Sequence, residues 1–291
     1  MNFEKLYDKI KFQLNQIGLK NGDTLLVRAD LFAIGKLSRD GIDYVKVFLD
    51  ILGDTGTLIA LAFTNTTFII KNKNYIFDGT NKANTGSFAN IMLSHPKAIR
   101  STHPSNSFVA IGQNAKFVLN GHDAKSGAYE PIRKIIQLKG KMLLIGCIAS
   151  SPGFTTAHLA ETDLGLHNRI ILPKLNNCYY KNDDGVIRLF RRSDIGGCSY
   201  TFQKFYAHYL LNNILQQGYL GNANSILVDA EKAYVIEKEI LRENPKYNIC
   251  DRPNCFLCRA RRWDNLKDMP FFLIKNLQKV IIKLKLMILN E

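Results

Sequence analysis

A run of eight residues with almost no polar side chain, from Gly56 to Phe63, most constrains the fold of this chain. A strand of this composition is buried on both faces, as in the parallel part of a sheet covered by helices. Similar apolar runs occur at 24–27, 107–112 and 141–147, with helical periodicity between them. The alternation predicts an α/β fold with a central mixed β-sheet flanked by helices.

Later segments add an insertion to this pattern. Residues Arg169–Tyr180 and Val186–Arg191 flank an Asp-Gly turn and predict a β-hairpin. Helices are predicted over Tyr200–Gln217 and Asp229–Arg242. The stretch Thr64–Asn84 is polar and has little periodicity, so we expect it to form a substrate or cofactor loop.

Positive charge is distributed unevenly along the chain. The 291 residues include 39 Lys or Arg against 25 Asp or Glu, a net charge of +14. Residues 245–291 hold ten basic and four acidic residues and so carry +6 of that charge. We therefore predict an enzyme-like domain at 1–244 and a basic, cysteine-containing extension at 245–291. A basic nucleic-acid-binding protein is the alternative, but the charges of the first domain are dispersed and no complete DNA-binding motif occurs, so no nucleic-acid partner is expected.

The end of the extension has the pattern of a basic amphipathic helix. From Pro270 onward, apolar residues recur on one helical face and lysines on another. Such a helix could lie on an anionic membrane surface, or it could dock on the enzyme itself or on a second subunit of a homodimer. The N-terminus has no signal-peptide pattern and no stretch is apolar enough to span a membrane, which favours a cytoplasmic protein, with peripheral membrane contact as an option.

Three cysteines of the extension have a spacing seen in metal sites, Cys250-x4-Cys255-x2-Cys258. Zinc would need a fourth ligand, for which the candidates are Cys178, Cys198 and His208. The spacing also matches the first three cysteines of a plant-type [2Fe–2S] site, but no cysteine follows to complete it. Reduced thiols are the favoured interpretation, and no metal is expected to take part in the chemistry.

A histidine and a glutamate follow the strand at 141–147 and a short polar loop, in the sequence Thr156-Ala157-His158-Leu159-Ala160-Glu161. A residue in the first turn of a helix after a strand end lies where α/β folds bind ligands. The helix N-terminus disfavours the imidazolium form, and Glu161 shares the helix face of His158. The pattern predicts a general base with a carboxylate that orients it. A histidine that only packs the helix remains the alternative.

The polar segment Arg100-Ser101-Thr102-His103-Pro104-Ser105-Asn106-Ser107 leads into a predicted strand. Its hydroxyl groups could donate to a developing oxyanion, and its arginine could bind a phosphate. The same residues are also typical of a solvated proline turn.

These two segments, together with several others in the same order and spacing, resemble the aminoglycoside 3-N-acetyltransferase family, and the resemblance covers about residues 15–240. Its most specific motifs here are Arg100-Ser101-x-His103-Pro104-x-x-Ser107 and His158-Leu159-Ala160-Glu161, and further matches are 23–27, 56–64, 85–86 and 218–223. The resemblance implies an antibiotic N-acetyltransferase fold, distinct from that of the GNAT enzymes. It also implies transfer of acetyl from acetyl-CoA to a primary amine of an amino sugar.

The resemblance further implies roles for individual residues. His158, backed by Glu161, removes a proton from the amine, and Ser107 or nearby backbone N–H groups stabilise the thioester oxyanion. The expected contacts to coenzyme A are Arg100, Ser101, Thr85, Gly86 and Asp30. The expected contacts to the acceptor are Asp78, His122, Glu130 and Asp163.

The chain departs from the family pattern at two strand ends. Family members commonly have His-Ser-Ser where this chain has Arg28-Ala29-Asp30, and Pro-Thr-Phe-Thr where it has Leu61-Ala62-Phe63-Thr64. Aminoglycosides are polycations, whereas this chain is basic. Two acceptors therefore stay open, an aminoglycoside and a nucleotide-linked or lipid-linked amino sugar of surface polysaccharide synthesis.

Overall fold

The computed structural model describes residues 3–37, 40–68, 75–166, 176–182, 184–192 and 198–252, together with the single positions 255, 257, 258, 270, 274, 277 and 281. The strands within these residues are β1 (Thr24–Ala29), β2 (Thr57–Leu61), β3 (Thr67–Phe68), β4 (Ile76–Phe77), β5 (Ile99–Arg100), β6 (Phe108–Gly112), β7 (Lys141–Ile145), β8 (Asn176–Lys181), β9 (Ile187–Arg191), β10 (Gln216–Leu220) and β11 (Ala223–Asp229). The helices are α1 (Phe3–Gln16), α2 (Leu31–Ile34), α3 (Ile42–Leu52), α4 (Ser87–Ser94), α5 (Ala115–Leu119), α6 (Glu130–Gln137), α7 (Thr156–Asp163), α8 (Lys204–Leu211) and α9 (Ala230–Glu243).

A seven-stranded sheet forms the centre, in the order β10-β11-β7-β1-β2-β6-β5. Strand β1 runs parallel to both β2 and β7. The other neighbouring pairs are antiparallel, so the sheet is mixed. The prediction of a central mixed sheet flanked by helices is confirmed.

Strand β2 shows why the apolar run at 56–63 requires helices on both sides of the sheet. Leu58 and Ala60 face a core formed with α1, α3 and α4, whereas Ile59 and Leu61 face a second core formed with α6, α7, α8 and α9. Successive side chains of a strand point to opposite faces, so each face of β2 buries its own apolar row. Complete burial of one such side chain stabilises the fold by roughly 1.5–3 kcal/mol.

Four further strands form a second, smaller sheet. Strands β8 and β9 pair antiparallel from Asn177↔Arg191 to Lys181↔Ile187. Strands β3 and β4 also pair with β8, so part of the segment expected to be a loop at Thr64–Asn84 contributes two short strands. The predicted start of the first hairpin strand, at 169–175, lies outside the described residues.

The predicted helix at Tyr200–Gln217 was wrong at its C-terminal end. The helix α8 ends at Leu211, and β10 begins at Gln216 and pairs with β11, a strand that was not predicted. Strand β10 lies at the edge of the sheet with most of its side chains at least partly exposed, so it lacks the apolar pattern of a buried strand. The turn to β11 needs Gly221, which has φ +61° and whose added Cβ would lie 2.2 Å from the Ile34 carbonyl oxygen.

The extension is described only in part. Pro270, Ile274, Leu277 and Ile281 are helical, and Ile274 and Leu277 are exposed. Most of the predicted amphipathic helix lies outside the described residues, so its contacts stay predictions, as does the domain boundary at residue 244. Within the described part of the chain, no helix has the length and apolar character needed to span a bilayer.

Candidate active site

A cavity of about 460 Å³ opens at the carboxyl ends of the parallel strands β1 and β2. Ligands bind at this edge of α/β sheets, because the connecting loops diverge there. The floor is formed by the last residues of the two strands and the walls by three segments further along the chain. Its lining residues are 27–29, 60–61, 63, 84–86, 88–89, 151, 154–155, 158, 199 and 202.

His158 lines this cavity from the first turn of α7, as its position after β7 predicts. Its Nδ1 lies 2.8 Å from Oε2 of Glu161, whose side chain is fully buried. An ionised Glu161 accepts a hydrogen bond from Nδ1–H, so the lone pair of the neutral ring is then on Nε2. This is the arrangement of a general base and its orienting carboxylate.

Aromatic rings hold the imidazole from two sides. Tyr129 stacks on His158 with 5.2 Å between ring centroids, and Phe202 packs at 4.7 Å in a tilted orientation. Both aromatic side chains are buried, so the ring of His158 has little freedom to rotate. This packing and the bond to Glu161 fix the ring in one orientation toward the cavity.

Asn248 completes the support of the carboxylate. Its side-chain amide donates to Oε1 of Glu161 over 2.6 Å, and Asn248 is itself fully buried. Sequence reasoning missed this residue, because Asn248 lies in the segment predicted as an extension and no motif links it to Glu161.

Arg28 holds the loop that leads into α7. Its guanidinium donates to the carbonyl oxygens of Gly153 and Ser151, each over 2.8 Å, and also to the Ser151 hydroxyl. Burial lowers the pKa of Arg28 from its usual value. Gly153 has φ +80°, and an added Cβ would lie 2.1 Å from the Cβ of Phe202, so only glycine fits this close approach.

Thr85 and Gly86 line the cavity, next to the N-terminus of α4. The Thr85 hydroxyl donates to the Leu61 carbonyl and anchors the turn to the end of β2. Gly86 is the N-cap, no side chain caps this helix, and a Cβ added to Gly86 would meet open space. An uncapped helix N-terminus facing a cavity suits an anionic or strongly polar ligand group.

Arg100 and Ser107 are not among the lining residues of the cavity. The Ser107 hydroxyl donates to the Ala62 carbonyl over 2.6 Å and accepts from Arg100 Nε over 3.0 Å. The rest of the Arg100 guanidinium donates to the carbonyl oxygens of Gly79, Asn81 and Ala62. In the structure these two side chains hold the 79–81 turn against the end of β2.

Ser101 and His122 form a second buried network behind β6. The Ser101 hydroxyl accepts from the Phe108 amide and lies 2.9 Å from Nδ1 of His122. The His122 ring stacks on His103 at 4.8 Å, and burial lowers the pKa of His122 to about 4. Burial also lowers the pKa of His103, so both rings are neutral near pH 7 and pack the turn.

The four acids predicted as ligand contacts are also not among the lining residues of the cavity. Asp30 caps α2 by accepting from the amides of Phe32 and Ala33. Asp78 accepts from the amide and hydroxyl of Thr80. Glu130 and Asp163 both pair with Arg133 on α6.

Four cysteine sulfurs converge near the wall of the cavity, those of Cys198, Cys250, Cys255 and Cys258. Of the three candidates for a fourth ligand, Cys198 is the one that joins the cluster. The ring of His208 instead bonds to the Tyr247 hydroxyl, and Cys178 lies beside Pro104.

A family model described as "Aminoglycoside 3-N-acetyltransferase" matches residues 26–242. Aminoglycoside N(3)-acetyltransferase IX of Micromonospora chalcea is 27% identical over 250 residues, which cover 76% of this chain and 88% of that protein. The SPbeta prophage-derived aminoglycoside N(3')-acetyltransferase-like protein YokD of Bacillus subtilis is 26% identical over 183 residues, 55% of this chain and 65% of its own length.

Solved structures share the fold. The crystal structure of aminoglycoside acetyltransferase AAC(3)-Xa superposes with a TM-score of 0.68 at 23% identity, covering 81% of this chain and 92% of that one. A binary complex of AAC-IIIb with CoASH gives a TM-score of 0.68 at 22% identity, covering 81% of this chain and 96% of that one.

Proposed function

The chain belongs to the aminoglycoside 3-N-acetyltransferase family, and we propose that His158 is the general base when it transfers acetyl to an amine. Its reaction is that of the family, in which acetyl-CoA is the donor and a primary amine of an amino sugar is the acceptor. The single observation that carries the role of His158 is its position in the cavity wall with Nδ1 held by Glu161.

The bound donor supplies an acetyl thioester as the electrophile. His158 Nε2 accepts the proton that the amine loses as its nitrogen bonds to the acetyl carbon and the C–S bond breaks. Glu161 stabilises the imidazolium that forms, and Asn248 keeps the carboxylate in place. The proton then passes from Nε2 to the departing thiolate, so the base returns to its starting state.

The described residues suit coenzyme A. The cavity volume is within the usual range of ligand sites, roughly 300–1,000 Å³. No atom fills the space where a Cβ of Gly86 would lie, so a ligand can approach this turn closely. The uncapped N-terminus of α4 offers N–H donors to a polar or anionic group. We assign the Thr85–Gly86 turn as a contact to coenzyme A, whereas the bonds of Arg100, Ser101 and Ser107 support structural roles.

The acceptor is an amino sugar, and two classes of amino sugar are candidates. Aminoglycosides are the acceptors named for the relatives. Of the described residues that line the cavity, none carries a carboxylate, and Arg28 carries a positive charge. A polycation gains little from such a lining, so an amino sugar linked to an anionic carrier such as a nucleotide is the second candidate.

A thiol-release assay with acetyl-CoA tests reaction and acceptor together. The panel contains several aminoglycosides and several nucleotide-linked sugars that carry a primary amine, with the corresponding N-acetylated sugars as matched controls. Release with aminoglycosides supports the first acceptor, and release only with the nucleotide sugars supports the second. Salt-sensitive DNA binding without acetyl-CoA binding would contradict the enzyme proposal and favour the nucleic-acid alternative. Cytoplasmic location, a homodimer and membrane contact stay predictions.

A further inference from the structure

We propose that Cys198, Cys250, Cys255 and Cys258 bind one Zn²⁺ ion as a structural four-cysteine site. All four Sγ atoms lie within 4.8 Å of one another, and those of Cys198 and Cys250 are 3.8 Å apart. The acetyl-transfer chemistry proposed above uses none of these residues. The assignment of the site does not depend on that reaction and rests on the geometry of the thiols.

The spacing of the sulfurs is compatible with a tetrahedral zinc site, and the one pair at 3.8 Å has the ideal separation. Ligand sulfurs about 2.3 Å from a common tetrahedral centre lie about 3.8 Å from one another. A disulfide requires sulfurs about 2.05 Å apart, and none of the six cysteines, all of which are described, forms one. A two-iron cluster spreads its ligands in pairs along the iron–iron axis, and this compact group of four sulfurs does not provide that separation.

The surroundings of the thiols favour metal-bound thiolates. The backbone amide of Tyr200 donates to the sulfur of Cys198, and that of Cys258 donates to the sulfur of Cys255. Cys250 and Cys258 are buried beside Ile249, so an ion held there is shielded from water.

The site joins two segments that are far apart in the chain. Cys198 and Cys250 are 52 residues apart, and a metal that links them closes a long loop and restricts the unfolded chain. Cys198 directly precedes Ser199, which lines the cavity, and Cys250 follows Asn248, which holds Glu161. A zinc ion at this site therefore holds in place both the cavity wall at Ser199 and Asn248, which orients Glu161 and through it His158.

Elemental analysis of the full-length protein, purified without a chelator and without a metal-affinity column, tests the site. We expect about one zinc per chain, with iron and other metals well below that ratio. The variants Cys250→Ser and Cys258→Ser are expected to lose the bound zinc. The matched controls are Cys147→Ser and Cys178→Ser, which change cysteines outside the cluster and are expected to keep it. Zinc far below one per chain in the wild-type protein, or iron in its place, would overturn the proposal.

A second measurement covers the case in which the serine variants do not fold. The wild-type protein is stripped with a chelator, and Zn²⁺ or Co²⁺ alone is then added back. We expect the melting temperature to fall on stripping and to recover with Zn²⁺, and Co²⁺ to produce the intense near-ultraviolet charge-transfer absorption of a tetrahedral thiolate complex. An unchanged melting temperature together with no cobalt–thiolate band would contradict the site, whatever the outcome of the acetylation assays.

Discussion

Asn248 donates a 2.6 Å hydrogen bond from its side-chain amide to Oε1 of Glu161, although the two residues are 87 positions apart in the chain. Both side chains are fully buried. The second oxygen of the same carboxylate lies 2.8 Å from Nδ1 of His158. One carboxylate thus connects the C-terminal segment to the histidine of the cavity. The orientation of that histidine depends on Glu161, inside the family-model match at 26–242, and on Asn248, beyond its C-terminal end.

Replacing Asn248 by Ala tests this connection. The loss of one buried hydrogen bond to a charged group costs roughly 1.5–3 kcal/mol, so we expect kcat to fall by about tenfold to a hundredfold. The KM for acetyl-CoA is expected to stay within about twofold, because Asn248 does not line the cavity. Steady-state kinetics check both values, with Asn212→Ala as the control at an exposed asparagine. A change in KM with unchanged kcat would contradict a positioning role.

Ser107 is expected to have a structural role and no catalytic one, since its hydroxyl donates to the Ala62 carbonyl and accepts from Arg100 instead of facing the cavity. We expect Ser107→Ala to lower the free energy of unfolding by about 1–3 kcal/mol, because it leaves a buried carbonyl and guanidinium without this partner. The kcat is expected to change by less than about threefold. Urea unfolding and thiol-release kinetics on the same preparation check the two values. A loss of about a hundredfold in kcat with unchanged stability would restore Ser107 as an oxyanion donor.

Glu237 makes the stability of the fold depend on pH. This buried carboxyl accepts a hydrogen bond from Tyr209, and burial raises its pKa from 4.5 to about 8. Between these two values the folded protein keeps a proton that the unfolded chain releases, so stability decreases as pH rises. The contribution of Glu237 to the free energy of unfolding decreases by at most about 1.4 kcal/mol per pH unit.

The variant Glu237→Gln isolates this effect, because glutamine keeps an acceptor for Tyr209 and cannot ionise. We expect wild-type protein to lose stability relative to the variant as pH increases from about 5 to 8. Chemical denaturation of both proteins across that range gives the difference in free energy of unfolding. A difference that does not change with pH would show that Glu237 is ionised in the folded protein.

The buried strands of the fold could be predicted because a strand buried on both faces consists of consecutive apolar residues. Every side chain of β2 is apolar or small and buried, and the other two strands of the parallel core, β1 and β7, each have four consecutive buried residues. The edge strand β10 carries exposed Gln216 and Gln217 and could not be recognised in this way. Its conformation is set by pairing with β11, which is a tertiary contact.

The site could be predicted only where position in the chain fixes position in space. His158 and Glu161 share one helix, so their spacing gives their contact. The direction of a side chain in a loop is not encoded in spacing. Ser107 and Arg100 donate to the backbone carbonyl of Ala62, just after the end of β2, instead of reaching the cavity. Asn248 and Cys198 reach their partners only through the folded chain, so no local motif could place them.

The role of His158 is tested most directly by comparing wild-type protein with His158→Ala in the thiol-release assay, using an acceptor that the wild-type enzyme acetylates. Removal of a general base is expected to lower kcat by roughly 10²–10⁴-fold. Acetyl-CoA affinity, measured by calorimetry, and the far-ultraviolet circular dichroism spectrum are expected to match those of the wild type. Turnover within a few-fold of the wild-type rate in a correctly folded His158→Ala protein would contradict the account.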